Sequence, residues 1–267
     1  MKKILSLVLV LAMLLGTVFA FSSCKKDTLV CGVTIFENMN EKDADGNWTG
    51  FESEFAIEVG KIIGMEVEFQ EIEWEQKYNE LNSGAIDCIW NGFTANSSDK
   101  IDDVTFKRSE LVDFSYGYML NQQCVVVKTA DLDKYQTTAD LAGKKACVEG
   151  GSAGASTAAT FTSEDKIFKA TSQIKAFPEL KSGAVDFIVC DIVLAQNLCG
   201  QGNYDDLSIV EGIELDSEIY AIGFKKGSDL TAKVNAAIKE LEENGKLLEI
   251  ATKYGFENVL KVTETIE

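Results

Sequence analysis

Histidine is absent from this sequence, arginine and proline occur once each (Arg108 and Pro178), and no Cys-x-x-Cys pair is present. Without imidazole, Ser-His-Asp and Cys-His catalysis and the common zinc sites are excluded. Without closely paired cysteines, thiol-redox and zinc-ribbon motifs are excluded too. No low-complexity tract offers a flexible tether, so any separate lobes must be joined by ordered chain. Positive charge is scarce: 25 Lys and Arg stand against 43 Asp and Glu, a net charge of −18. Phosphate backbones need basic patches, so a nucleic-acid partner is not expected. The acidity bears on solubility and does not name a ligand. Beyond residue 21, no apolar run approaches the length that spans a bilayer.

What is present begins with Lys2-Lys3 and an apolar run from Ile4 to Phe21, the layout of a secretory signal. Roughly 18 apolar residues also suffice for a membrane anchor. Phe21-Ser22-Ser23-Cys24 resembles a bacterial lipobox, with Phe21 where Leu is usual. The expectation is a signal peptide over 1–23, lipidation of Cys24 and a short anchored linker over 24–27. Plain cleavage after Ala20 and a retained anchor are the alternatives. Loss of Lys2 and Lys3 takes the charge from −18 to −20. The remaining 244 residues suit one large domain or two small ones, and 46% apolar content supports real cores. Six cysteines follow Cys24. An even count in an exported chain allows disulfides. Cys31, Cys88, Cys124, Cys147 and Cys190 sit in apolar, β-branched stretches, so mostly buried thiols are expected there.

The most informative internal feature is a repeat. Glu80-Leu-Asn-Ser-Gly-Ala-Ile-Asp-Cys-Ile-Trp90 and Glu179-Leu-Lys-Ser-Gly-Ala-Val-Asp-Phe-Ile-Val189 share seven of 11 residues at a separation of 99. Each reads as a helix end, a glycine stop and a buried strand. Two lobes on similar plans would account for it. Strands are expected at 28–34, 65–72, 85–90, 124–127, 145–148 and 184–190. Helices are expected at 51–63, 74–82, 151–161, 192–197, 229–243 and 246–254. This alternation implies an α/β fold with a largely parallel sheet.

In open α/β sheets, ligands sit beyond the carboxyl ends of strands. There the sequence places Trp90-Asn91-Gly92-Phe93-Thr94, then Glu149-Gly150-Gly151-Ser152-Ala153-Gly154, then Asp191. The glycine-rich turn entering a helix suits an anion, and lacks the Gly-Lys-Ser ending of a triphosphate loop. The lone Arg108 has the planar fork that grips carboxylates. Glu41-x-Asp43-x-Asp45-Gly46 with Glu52 echoes a calcium loop, but no helix precedes it, and a solvated hairpin turn is expected instead. No metal or cofactor is expected.

Taken in order, several stretches resemble the polar amino-acid-binding proteins of ABC importers, a branch of the type II periplasmic binding protein fold. They are Gly50-Phe51-Glu52-x-x-Phe55-Ala56, Leu81-x-Ser83-Gly84-x-Ile86-Asp87, Trp90-Asn91-Gly92-Phe93-Thr94 and Thr105-x-x-Arg108-x-x-x-Val112-Asp113-Phe114-Ser115. Asp140-Leu141-x-Gly143-Lys144-Lys145, Gly183-x-Val185-Asp186 and Ala232-Lys233-Val234-Asn235-x-Ala237 through Asn244-Gly245 continue the set over about 28–257. The resemblance implies two α/β lobes with mixed, mostly parallel sheets flanked by helices. Lobe 1 would be 28–117 plus 220–267 and lobe 2 would be 123–214, joined by hinge strands at 118–122 and 215–219. It implies a monomeric binding protein, not an enzyme, exported and held at the outer face of the cytoplasmic membrane, or in the periplasm of a Gram-negative host, that closes on a free amino acid for an ABC importer's membrane subunits. A dehydratase-like enzyme and a sensory module on the same fold are the alternatives.

Residue by residue, the resemblance implies an aromatic clamp by Phe36 and Trp74. Asn91, Gly92 and Thr94 would hold the ligand after the third strand, and Arg108 would grip the α-carboxylate together with Ser152 and Ala153. Asp191 would take the α-ammonium. The extra residues Ala95–Val104 leave two places for the family's arginine position, Arg108 or the neighbourhood of Ser98-Asp99. Glu149 is either a ligand-facing acid, in a chain whose Val33 lacks the Asp of some basic-amino-acid binders, or a solvated loop residue.

Overall fold

A computed structural model describes residues 27–266, so the signal, lipobox and most of the linker lie outside the described residues. The chain begins with β1 (Thr28–Val33), a hairpin of β2 (Glu41–Lys42) and β3 (Trp48–Thr49), and helix α1 (Phe51–Ile63). In the hairpin turn, Asp43 Oδ1 accepts the N–H groups of Asp45 and Asn47, each at 2.9 Å, an Asx turn that occupies the carboxylate. Helix α1 starts after Gly50, whose φ is +102°; a Cβ there would lie 2.4 Å from the carbonyl oxygen of Met39. The helix buries Phe51, Phe55, Ala56 and Val59, a spacing of three to four residues that lays one face on the sheet. Phe51, Phe55 and Val59 each contribute about 1.5–3 kcal/mol.

Next come β4 (Glu66–Glu71), α2 (Lys77–Ser83), β5 (Cys88–Ile89), and a second hairpin of β6 (Ser98–Ile101) and β7 (Val104–Lys107). A four-residue helix α3 (Arg108–Leu111) leads into β8 (Asp113–Lys128). The second half holds β9 (Ala146–Glu149), α4 (Ala153–Phe161), β10 (Ile167–Ala170), α5 (Ala176–Ser182), β11 (Phe187–Asp191), α6 (Ile192–Leu198) and β12 (Leu207–Ile209). The chain then returns through β13 (Ser217–Phe224), α7 (Leu230–Glu243), α8 (Lys246–Lys253) and β14 (Leu260–Thr263).

The main sheet runs β10-β9-β11-β8-β13-β5-β1-β4, with β12 and β14 also paired to β8. Its two wings are parallel: β4-β1-β5 on one side, β10-β9-β11 on the other. Its centre is antiparallel, where β8 meets β11 and β13 and β13 meets β5. The α/β reading therefore holds, with a mixed sheet flanked by helices. One correction concerns β8. The sequence leads to separate pieces, a hinge strand at 118–122 and a strand at 124–127, whereas the observed strand is one run of 16 residues. Its N-terminal half pairs with β13 and its C-terminal half with β11 and β12. Asn121-Gln122-Gln123 breaks the apolar pattern exactly where the strand passes from one wing to the other.

The internal repeat has a concrete geometric meaning. Both helices end at a left-handed glycine, Gly84 at φ +79° and Gly183 at φ +80°. In each wing the repeat's aspartate then accepts a backbone N–H from the neighbouring strand. Asp87 Oδ2 takes Val30 N at 2.8 Å, and Asp186 Oδ2 takes Lys145 N at 2.8 Å. Seven shared residues thus encode one helix stop and one strand lock, used twice. The six cysteines in the described residues are free thiols; five are buried and Cys199 is half-buried. Cys31 and Cys88 are register partners with sulfurs 3.6 Å apart.

Gly154, in the first turn of α4, marks a close approach that places the site. A Cβ there would sit 2.8 Å from the carbonyl oxygen of Val189 and 2.9 Å from Gln123 Oε1. Backbone in β11 cannot yield as a side chain can. Gly154→Ala is expected to cost about 1–3 kcal/mol, several degrees of melting temperature by calorimetry. An unchanged melting temperature would mean that α4 packs less tightly on β11.

Candidate functional site

The C-terminal ends of the parallel strands converge on one cavity. Trp74, Asn91, Gly92, Thr94 and Arg108 line it from the first wing; Glu149, Ser152, Ala153, Gln173 and Asp191 line it from the second. Nine of the ten residues expected from the sequence thus surround a single space. Phe36 is the exception. It is buried in the core, with its ring beneath Gly92, where a Cβ would come within 3.1 Å of it. The cavity measures about 10 Å³, roughly the room of one water. The wings are drawn together around it. Lys77 Nζ donates to the carbonyl oxygen of Gly151 across the gap at 2.7 Å, and Lys169 pairs with Glu75 at 2.5 Å.

In the first wing, β5 ends in a rigid turn. Asn91 Nδ2 donates to the carbonyl oxygen of Thr34 at 3.0 Å and to Asn40 Oδ1 at 2.7 Å, while Thr34 Oγ1 donates to Asn91 Oδ1 at 2.7 Å. Gly92 has φ +55°, and its N–H donates to Glu52 Oε1 at 2.8 Å. That amide is therefore committed inside the protein. Thr94 Oγ1 donates to Glu218 Oε2 at 3.1 Å. Trp74, on the short turn before α2, meets Phe93 edge-on at 5.5 Å.

The extra residues Ala95–Val104 resolve into the β6–β7 hairpin. Its tip, Asp102-Asp103, takes φ values of 48° and 65°, the positive pair of a two-residue hairpin turn. The hairpin returns the chain so that Arg108 N donates to the carbonyl oxygen of Ser97 at 3.0 Å. Of the two candidate placements, the structure sets Arg108 on the cavity wall and Asp99 behind it. Arg108 Nε and Nη2 donate to Asp99 Oδ1 at 3.0 and 2.8 Å, and Nη1 donates to the carbonyl oxygen of Thr94 at 2.9 Å. Its guanidinium also lies over the Phe93 ring at 4.9 Å. Asp99 further meets Lys77 at 3.2 Å and Tyr78 Oη at 2.7 Å. Burial works to raise the Asp99 pKa, but the neighbouring Arg108 and Lys77 charges hold it down at about 2.

In the second wing, Ser152 caps α4, its Oγ accepting Ala155 N at 3.0 Å. The N–H groups of the first helical turn have no intrahelical acceptor. Asp191, at the end of β11, is buried beneath three side-chain amides. Its Oδ1 accepts Asn121 Nδ2 at 2.8 Å and Gln123 Nε2 at 2.5 Å, and its Oδ2 accepts Gln173 Nε2. Glu218 Oε2, on β13, shares the Asn121 and Gln123 donors at 2.7 and 3.0 Å. Sequence reasoning missed Gln173 and Glu218. Glu218 left one trace, an acid at the head of an otherwise apolar strand; Gln173 left none. Glu149 is buried, not a solvated loop residue.

Burial pushes the carboxyl pKa values up: Glu52 and Glu218 to about 7 and Glu149 to about 8, with the Asp191 charge adding to each. Burial also raises Asp191 itself and draws Lys77 down to about 8. Acids with raised folded-state pKa values bind more protons folded than unfolded. Their contribution to stability is complete below about 4.5, the unfolded value, and is lost as pH rises through about 7 to 8. The ligand-free protein is therefore expected to melt lower at pH 9 than at pH 6, with Glu149→Gln flattening the profile. A melting temperature that rises over that interval would contradict it.

Among the described residues, no cluster of three or more acidic or sulfur ligands is placed to hold a metal ion, and no helix is long and apolar enough to cross a membrane. What the walls do offer is fixed positive charge on one side and carboxylates on the other.

Residues 29–258 match the family model described as bacterial extracellular solute-binding proteins, family 3. The L-cystine-binding protein of Bacillus subtilis is 30% identical over 224 residues, covering 83% of this chain and 78% of the relative. An ancestral arginine-binding protein solved with arginine bound superposes with a TM-score of 0.76 at 32% identity, over 86% of this chain and 98% of that one. The substrate-binding protein of an ABC uptake transporter from Streptococcus pneumoniae, solved with histidine bound, gives 0.74 at 29% identity, over 88% and 94%. With its parallel wings, antiparallel centre and cavity at the strand ends, this chain belongs to the bacterial extracellular solute-binding proteins, family 3, on the type II periplasmic binding protein fold.

Proposed function

We propose that this protein captures a free amino acid outside the cell and hands it to the membrane subunits of an ABC importer. The observation that carries the reading is the division of charge across the cavity: Arg108 lines it from one wing, and Asp191 and Glu149 line it from the other. A zwitterion spans such a site with its carboxylate toward Arg108, the Ser152 hydroxyl and the first-turn amide of Ala153, and its α-ammonium toward Asp191. Trp74 packs the side chain, and Asn91, Gly92 and Thr94 shape the wall. Phe36 supports Gly92 from beneath.

The wings act as lobes, 28–117 with 220–267 and 123–214, turning about 118–122 and 215–219. An amino acid resting on one lobe gains its second set of contacts only on closure. The protein binds without turnover, works as a monomer, and is held at the membrane by a lipid on Cys24. The test is a melting series of residues 25–267 against the common amino acids and cystine, after unfolding and refolding to remove carried ligand. A ligand at a hundredfold excess over its Kd stabilises by about 2.7 kcal/mol. A shift with one or a few amino acids supports the reading, and no shift with any overturns it.

A further inference from the structure

Seven charged side chains are buried among the described residues: the acids Glu52, Asp99, Glu149, Asp191 and Glu218, and the cations Lys77 and Arg108. Both cations pair with the same acid, Asp99. Among the described residues, none of the other four acids has a Lys or Arg nitrogen within 4.0 Å. Buried charge is costly unless it is paired or neutralised. A zwitterion brings one positive and one negative charge and leaves the excess where it was. A ligand with one more positive charge can take the place of the proton that otherwise neutralises one of these acids.

Of the four unpaired acids, only Asp191 and Glu149 line the cavity. Asp191 already accepts three amide donors. Glu149 is served more weakly, by the Thr34 hydroxyl at a long 3.4 Å and by the backbone N–H of Gln173. We propose that Glu149 receives a second cationic group of the ligand, so that the site selects an amino acid with a protonated side chain over its neutral counterparts. This rests on the amino-acid reading above, in which Asp191 is taken by the α-ammonium. Net-neutral cystine is disfavoured, because its second carboxylate would need a cation, and Lys77 is already engaged by Asp99 and the Gly151 carbonyl.

Charge balance gives the site a second signature. Glu149 is faced by Asp191 from β11, which favours its proton, and by Lys77 from α2, which opposes it, with Thr34 and Gln173 as hydrogen-bond partners. Burial leaves it largely protonated at pH 7, with a pKa of about 8. When the cationic group arrives, the carboxyl proton passes to solvent and the carboxylate remains as the ligand's partner. Binding therefore releases protons.

The experiment is calorimetric titration of the mature chain and of Glu149→Gln with arginine, lysine, their neutral analogues citrulline and norleucine, and cystine. Each is run at pH 7 in two buffers of different ionisation enthalpy. Expected in the wild type is a preference of about a hundredfold for the basic member of a pair, with proton release on binding. In Glu149→Gln the preference falls below about tenfold, the proton release disappears, and the affinity for neutral analogues is kept or improved. Neutral analogues or cystine binding as tightly as arginine and lysine, or a variant that keeps the full preference, would overturn the proposal while leaving the amino-acid reading intact. If neither basic nor neutral amino acids bind, both fall together.

Discussion

Asp191→Asn is expected to raise the Kd for the amino acid by at least about a hundredfold, with little change in fold. The cause is the loss of a buried charge opposite an ammonium, a change worth roughly 2–5 kcal/mol. In the free protein the carboxylate is held by Asn121, Gln123 and Gln173, and these amides fix its direction before any ligand arrives. Asparagine keeps the shape and one acceptor oxygen but removes the charge. The free protein also loses an acid whose ionised form burial disfavours, so its stability should hold. Titration calorimetry gives the Kd, and circular dichroism with a melting curve gives the fold. An unchanged Kd would remove Asp191 from the site.

Arg108→Ala should strike both binding and stability. The side chain is nearly inaccessible, and all three guanidinium nitrogens donate within the protein. Truncation leaves Asp99 buried with Lys77 as its sole ion partner and leaves the carbonyl of Thr94 without its donor. Breaking a buried pair in this way costs about 3–5 kcal/mol. Arg108→Lys separates the two roles: it restores a charge near Asp99 but not the planar fork, so it should recover part of the stability and little of the binding. Denaturant midpoints and Kd values measured on the same samples decide this, and an Arg108→Ala protein as stable as wild type would refute it. The acid limb carries a related signature. Asp99 has a depressed folded-state pKa, so its stabilisation is complete above about 4 and is lost as pH falls toward about 2. Without Arg108 the folded-state pKa should move back toward the unfolded value, so less stability is lost on the acid limb and the loss ends at a higher pH.

Much of the fold was legible along the chain. The apolar spacing of Phe51, Phe55 and Val59 located helix 51–63 to the residue, and glycine stops located the ends of α2 and α5. The repeat announced two similar halves because its aspartate and glycine do the same local work twice. Strand 113–128 was legible only as pieces, at 118–122 and 124–127, because periodicity registers which residues are buried, and Asn121 and Gln123 serve a polar cavity instead of an apolar core. Gln173 left no trace, since an isolated glutamine on a short turn carries no local pattern.

Local sequence by itself determined the α/β alternation, the strand ends where chemistry gathers, and the kinds of residue available there: one arginine, no histidine and an excess of acid. Those properties depend on neighbours within a few positions, through turn geometry and burial period. Only the tertiary structure decided which acid each cation meets. Arg108 and Lys77 both close on Asp99 through the β6–β7 hairpin, and Glu149 is left facing the cavity without a cation. Charge pairing is set by distance and burial between segments far apart in the chain, and no local pattern encodes either one.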